Sequence, residues 1–177
     1  MSKAVMISIQ PKWCELIASG KKTIEVRKTR PKLETPFKCY IYCTLGDCGK
    51  VDIGKRGNCY NGKVIGEFVC DYITPFRPRA LVCDSEMCKL SQVPVGKLVE
   101  YAPDKPFPND HIYGWHISHL VIYDRPKELS EFKKHNRKCH YEHLGLATPK
   151  CSECSECQLE RSPQSWCYVE EMRNAND

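Results

Sequence analysis

The chain opens on an alternating pattern. Val5, Ile7 and Ile9 occupy one set of positions and Met6, Ser8 and Gln10 the other, the period of a strand with one face dominated by branched residues. The period then lengthens to that of a helix. Trp13, Leu16 and Ile17 fall on one side, Pro11 suits the first turn, and Gly20 stands where a left-handed C-terminal residue is expected. From Thr23 the alternation returns, with Ile24 and Val26 set against Glu25 and Arg27, until Pro31 and Pro36 close the strand.

Further strands are expected at Phe37 to Thr44, at Lys63 to Ile73, at His111 to Tyr123 and, more briefly, at Gln164 to Glu170. The stretch Leu45 to Gly62 holds five glycines and little periodicity, which marks an exposed loop. Asp84 or Ser85 would cap a short helix through Leu90, whereas Pro94, Pro103, Pro106 and Pro108 predict an irregular segment after it. The expected class is α+β and mostly β: a small antiparallel barrel or strongly bent sheet with a few short helices.

Length and composition narrow the class. The 177 residues (20.4 kDa) suit one compact body, and 41% hydrophobic with 28% charged residues is the balance of a folded globular chain. No apolar run approaches the roughly 18 to 20 residues of a membrane-spanning helix, and the first ten residues are too short and polar for a secretory signal. A cytoplasmic protein is expected. Thirteen cysteines in such a chain point to free thiols or metal ligands rather than a disulfide framework.

Charge is unevenly placed. Residues 1–60 carry 12 Lys or Arg against 5 Asp or Glu, while residues 61–177 carry 15 against 17. A basic end of this kind suits either an anionic partner or a solvated face. Neither G-x-G-x-x-G after a strand nor G-x-x-x-x-G-K-S/T occurs, so dinucleotide and P-loop chemistry lack support.

The most informative stretch is Gly20-Lys21-Lys22-Thr23-Ile24-Glu25-Val26-Arg27. If Ile24 and Val26 face a core, Glu25 and Arg27 point together to the other side, and Lys22 at the strand start reaches the same place. A donor fork, a carboxylate and an ammonium are suitable groups for a phosphate, a sugar hydroxyl or a base edge. The plainer reading is an ion pair on an exposed strand, worth about 0 to 1 kcal/mol.

These residues resemble the G-x-K-x-x-E-x-R signature of ASCH domains, in the PUA-like superfamily, with Gly20, Lys22, Glu25 and Arg27 at the four signature positions. The resemblance covers roughly residues 4–125 and the closing strand Ser165 to Val169. It implies a PUA-like β-barrel spanning residues 1–130 plus 164–171, with a basic cleft lined by the signature residues and used for RNA or modified nucleosides. Some relatives remove an acyl group from the exocyclic amine of cytidine with a Lys, a Thr and a Glu, and one has been described as a ribonuclease. The Lys corresponds to Lys22, but the Thr position is Glu25 here, and a carboxylate cannot replace a hydroxyl without changing the mechanism. Glu86 is the nearest counterpart of the family's Glu. A hydrolase would then use Lys22 as base or electrophilic stabiliser, Glu25 to activate water and Arg27 to anchor substrate charge.

Two further groups are candidates. Trp115 and His116, after Gly114, would offer a stacking or polar surface to the cleft, and a bulge at Gly114 would decide which of them faces inward. Trp13, beside Leu16 and Ile17, reads as core instead. Cys39 and Cys43 likewise read as small core hydrophobes. Within residues 131–163, Cys151, Cys154 and Cys157 form two overlapping C-x-x-C spacings, with Cys139 and His143 upstream, so four of these would suit a structural zinc ion. The same Cys/His-rich insertion would alternatively dock a protein partner. The leading expectation is therefore a protein that binds RNA or a modified nucleoside, ahead of a nucleoside amidohydrolase or ribonuclease and of a protein-interaction module.

Overall fold

The structure is a computed structural model that describes residues 2–46, 61–79, 85–106, 109–135 and 157–172. The elements run β1 (Lys3–Ile9), α1 (Pro11–Ala18), β2 (Ile24–Arg27), β3 (Phe37–Cys43), β4 (Lys63–Cys70), β5 (Ile73–Phe76), α2 (Ser85–Ser91), α3 (Val95–Tyr101), β6 (Ile112–His116), β7 (Ser118–Lys127), a 3-10 turn at Leu129–Glu131, and β8 (Trp166–Glu170). The strands form a five-stranded sheet, ordered β7-β4-β3-β1-β8, and a three-stranded sheet, ordered β2-β6-β5.

The fold is mostly β with short helices, as the pattern predicts, but the two sheets are not closed into one barrel. Nor is the pairing wholly antiparallel. β1 and β3 run parallel, with Val5 opposite Cys39 and Ile9 opposite Cys43, a pairing that requires a long crossover and here receives α1 and β2. The stretch expected as one strand from His111 to Tyr123 is two, because Ile117 carries the chain from the small sheet to the large one. Its amide donates to the Thr23 carbonyl at 2.9 Å.

Three clusters of buried residues hold these layers. Val5, Ile7 and Ile9 join Cys14, Ile17, Cys39, Cys43 and Trp115 on the first face of the large sheet. Ala4 and Met6 join Tyr40, Val64, Phe132 and Leu159 on the second. β1 is thus buried on both sides, and Met6, on the face opposite the branched residues, is core as well. Cys39 and Cys43 are buried as expected. The third cluster packs Ile24, Val26 and Ile112 of the small sheet against Met87 of α2 and Leu98 of α3.

Two glycines are dictated by close approach. A Cβ at Gly66 would lie 2.3 Å from the Val121 carbonyl oxygen, where the β4–β7 register shifts. At Gly114 it would lie 2.9 Å from Ile24 and 3.0 Å from the Met87 sulfur. The register through Gly114 is continuous, so no bulge forms there. Among the described residues no helix is long and apolar enough to cross a membrane.

Candidate functional site

The charged strand is placed by the turn before it. Gly20, at φ +74°, follows the last turn of α1, and the Lys22 amide donates back to the Leu16 carbonyl at 2.9 Å. The Thr23 amide donates to the Leu90 carbonyl at 3.0 Å, and β2 then pairs with β6. Period-2 geometry sends Ile24 and Val26 into the third cluster and turns Glu25 and Arg27 toward the large sheet. The polar face is not solvated. Lys22, Glu25 and Arg27 are only 2%, 4% and 9% exposed.

A buried charge requires partners. The Lys22 ammonium donates to the Ile24 carbonyl at 2.8 Å and the Ser91 carbonyl at 2.7 Å, and it lies 3.3 Å from Glu25 Oε2. Arg27 Nη1 donates to Glu25 Oε1 and to the Val26 carbonyl at 2.9 Å, while Nη2 donates to the Ser8 carbonyl at 2.5 Å. The result is a cation–carboxylate–cation row with one net positive charge. Burial lowers the Lys22 pKa from its usual value, and Arg27 adds to this, against the opposing pull of Glu25. Glu25 Oε2 has Lys22 as an ion-pair neighbour but receives no hydrogen bond, and Arg27 Nε likewise has no acceptor. Those two atoms are the unsatisfied polar capacity of the row.

The row lines a cleft of about 630 Å³, within the usual range for small-ligand sites. α1 supplies one wall through Lys12 and Trp13, and α3 supplies another through Lys97, Glu100 and Tyr101. Lys12 and Lys22 lie 4.8 and 5.3 Å from the Trp13 ring centroid, and Lys28 lies 4.9 Å from that of Tyr101. Burial raises the Tyr101 phenol pKa and keeps it a neutral donor. Four cationic side chains, Lys12, Lys22, Arg27 and Lys97, face two carboxylates, Glu25 and Glu100.

The other candidates fall elsewhere. Gly20 makes the turn and is not part of the lining. Trp115 is fully buried in the first cluster, 6.0 Å from the rings of both Phe37 and Trp166, because its register opposite Glu25 turns it between the sheets. His116 faces the other way, 2.6 Å from Asp71 and stacked on Tyr72 at 4.4 Å, outside the cleft. Glu86 is exposed on α2 and also outside it. Of the zinc candidates, Cys139, His143, Cys151 and Cys154 lie outside the described residues. Cys157 is buried, and its carbonyl accepts the Lys134 amide at 2.8 Å. Among the described residues no group of three His, Cys, Asp or Glu is placed to hold a metal ion. The docking role suggested for the Cys/His-rich insertion falls mostly on residues outside the described ones too.

Two parts of the cleft escape the pattern reading. Trp13 is half-buried and forms cleft wall as well as packing on the core, since Pro11, Cys14 and Ile17 take the fully buried side of α1. α3 lies where four prolines predict irregular chain, yet Pro94 is its N-cap and Val95, Leu98, Val99 and Ala102 keep helical spacing. That spacing is the signal that would have revealed it.

A mostly-β fold of two sheets with a Lys-x-x-Glu-x-Arg row buried at its cleft defines a class. Residues 7–171 match the ASCH domain, and the chain belongs to that family, whose fold is PUA-like. It is similar to the crystal structure of ASCH from Zymomonas mobilis, at 18% identity and a TM-score of 0.58, covering 95% of this chain and 88% of that one. A tyrosine-to-phenylalanine mutant of the Zymomonas mobilis protein gives a TM-score of 0.59 at 18% identity, over 96% and 92%. At such identity the likeness is one of fold. No curated protein matches the chain.

Proposed function

We propose that the cleft binds RNA through a single unpaired nucleotide, or binds a modified nucleoside. The observation that carries this is the buried Lys22–Glu25–Arg27 row beside Trp13. The carboxylate accepts from a base amine, an imino group or a sugar hydroxyl, and Lys22 and Arg27 hold it oriented. Trp13 offers a stacking face, typically worth about 1 to 3 kcal/mol per base. Lys12 and Lys97, nearer solvent, suit the phosphate. The test is equilibrium binding of short RNAs and of a panel of modified nucleosides. Arg27→Ala should weaken affinity at least tenfold, and Lys12→Ala should reduce the salt dependence; salt-independent RNA binding argues against a phosphate at the rim.

Hydrolysis is a second reading, favoured by the 3.3 Å contact of Lys22 with Glu25. Glu25 would orient a water and Lys22 would stabilise the developing oxyanion. It proceeds without Glu86, which stands outside the cleft. Incubation with N4-acetylcytidine and with RNA tests it: no product rejects hydrolysis and leaves binding, and undiminished turnover in Lys22→Ala rejects this Lys22-dependent mechanism.

A further inference from the structure

The first cleft ends at a cross-strand pair. Arg27 on β2 lies opposite Tyr113 on β6, so their side chains share one face with Cβ atoms about 5 Å apart. Arg27 lines the first cleft, and Tyr113 lines a second hollow of about 610 Å³. Arg30, Phe76, Arg77, Asn109 and His111 line it too.

This hollow combines an oriented aromatic with excess positive charge. His111 Nε2 shares a 2.7 Å hydrogen bond with the Tyr113 hydroxyl, and the two rings meet edge to face at 5.0 Å, which fixes the phenol. The Arg30 guanidinium lies 6.0 Å from the Tyr113 centroid, an arrangement in which a planar cation keeps its in-plane N–H donors for another acceptor. Arg77 Nε lies 3.2 Å from Asp110, so its charge is largely answered. Among the described residues no carboxylate pairs with Arg30, which therefore supplies the cationic excess. Between the hollows runs Arg27-Lys28-Thr29-Arg30, a segment with three cations. Lys28 lies against Tyr101 of the first cleft and Arg30 against Tyr113 of the second.

We infer that the second hollow is a subsite for the adjoining nucleotide of a single-stranded nucleic acid whose first nucleotide occupies the Lys22–Glu25–Arg27 cleft. The inference rests on that cleft being a nucleotide site and goes further: the ligand is a strand and not a free nucleoside. Its backbone follows Lys28 and Arg30, a phosphate takes the Arg30 donors, and the base meets Tyr113 and Phe76. Cation tracks interleaved with aromatics bind single strands in this way.

The experiment is equilibrium binding of 5′-phosphorylated, mixed-base oligoribonucleotides of one, two, four and eight residues to the full chain and to Arg30→Ala. The Arg30 side chain is exposed, so the variant should fold, which circular dichroism checks. Affinity should rise at least tenfold from one to four nucleotides. Arg30→Ala should lose five- to tenfold for the tetranucleotide and stay within twofold of wild type for the mononucleotide. Oligodeoxynucleotides of the same lengths separate the sugars: tighter RNA binding identifies RNA, and equal affinity identifies single strands of either kind, both in support. Mononucleotide binding without a gain in length, or an unaffected tetranucleotide in Arg30→Ala, overturns the subsite and leaves the first cleft standing. Binding of no nucleotide at any length overturns both.

Discussion

Lys22 and Ser91, 69 positions apart, are joined by a 2.7 Å hydrogen bond from the ammonium to the main-chain carbonyl. One residue earlier, the Leu90 carbonyl accepts the Thr23 amide at 3.0 Å. The start of β2 thus satisfies the carbonyls that the end of α2 leaves without helical partners. The central cation of the site is at the same time a fastening between two elements, which separates two consequences of removing it.

The first is stability. Lys22→Met keeps the aliphatic stem but leaves the Ser91 and Ile24 carbonyls without their donor and Glu25 with one cation fewer. The expected loss is about 3 kcal/mol. Urea unfolding followed by circular dichroism measures it, and a midpoint equal to that of wild type would contradict the description of Lys22 as a fastening. Binding data on this variant then require a folded fraction measured alongside.

The second concerns pH. Burial lowers the Lys22 pKa in the folded chain below 10.5, so between the folded and unfolded values the unfolded chain binds more protons. Stability from this group is fully present above 10.5 and is lost as pH falls through the folded value. The stability gap between wild type and Lys22→Met should therefore move in favour of wild type between pH 8 and pH 10. Denaturant midpoints at the two pH values check the sign; a gap moving the other way would mean that Glu25 outweighs burial.

Much of this site is legible in the sequence and some of it is not, for identifiable reasons. The alternation of Ile24 and Val26 with Glu25 and Arg27 is local, and it sorts the side chains onto two faces correctly. Whether the polar face is solvent or interior depends on the Ser8 carbonyl, which reaches Arg27 from β1, and on α3, and both are non-local. Trp115 illustrates the same point: its burial follows from lying opposite Glu25 across the β2–β6 ladder. The parallel β1–β3 pair, which a purely antiparallel barrel excludes, likewise joins segments some thirty residues apart. α3 was hidden for a different reason. Pro94 and Pro103 flank the helix and do not interrupt it, and proline is tolerated at a helix start.

Trp13 is the only one of the three tryptophans in the cleft lining; Trp115 is core, and the Trp166 indole donates to Thr29 Oγ1 at 3.0 Å. Ligand binding should quench intrinsic fluorescence chiefly through Trp13. Trp13→Leu should remove the quench and weaken binding by about 1 to 3 kcal/mol, roughly five- to 150-fold. Titration of wild type and variant with the same oligonucleotide reads both quantities. A quench that survives the substitution would place the base away from α1.

Glu25→Gln changes the chemistry of the floor while nearly preserving its shape. The carboxylate only accepts, whereas the amide both donates and accepts, so ligands that present a donor lose their best partner. Affinity should fall about tenfold for whichever nucleotide binds the wild-type cleft. Stability should fall as well, by about 2 kcal/mol, because Lys22 and Arg27 keep their buried charges and lose the anion between them. Calorimetric titration at temperatures well below the variant's unfolding midpoint separates the two effects. Equal affinity of wild type and variant would show that the ligand never reaches Glu25.

Gly114 carries the packing of α2 to the charged row. A Cβ there meets Ile24 at 2.9 Å and the Met87 sulfur at 3.0 Å, and Ile24 is the immediate neighbour of Glu25 on β2. Met87 can turn aside, but Ile24 is held in the ladder opposite His116, so relief must come from a small shift of β2. Gly114→Ala should cost about 1 to 3 kcal/mol, the usual consequence of overpacking. It should also weaken nucleotide binding, although position 114 is not part of the cleft lining. Trimming Met87 to Leu in the same chain should recover part of the stability and little of the affinity, because the methionine contact is relieved while the Ile24 contact, which moves Glu25, remains. Full recovery of both in the double variant would show that the strain is taken by α2 alone and that β2 does not move.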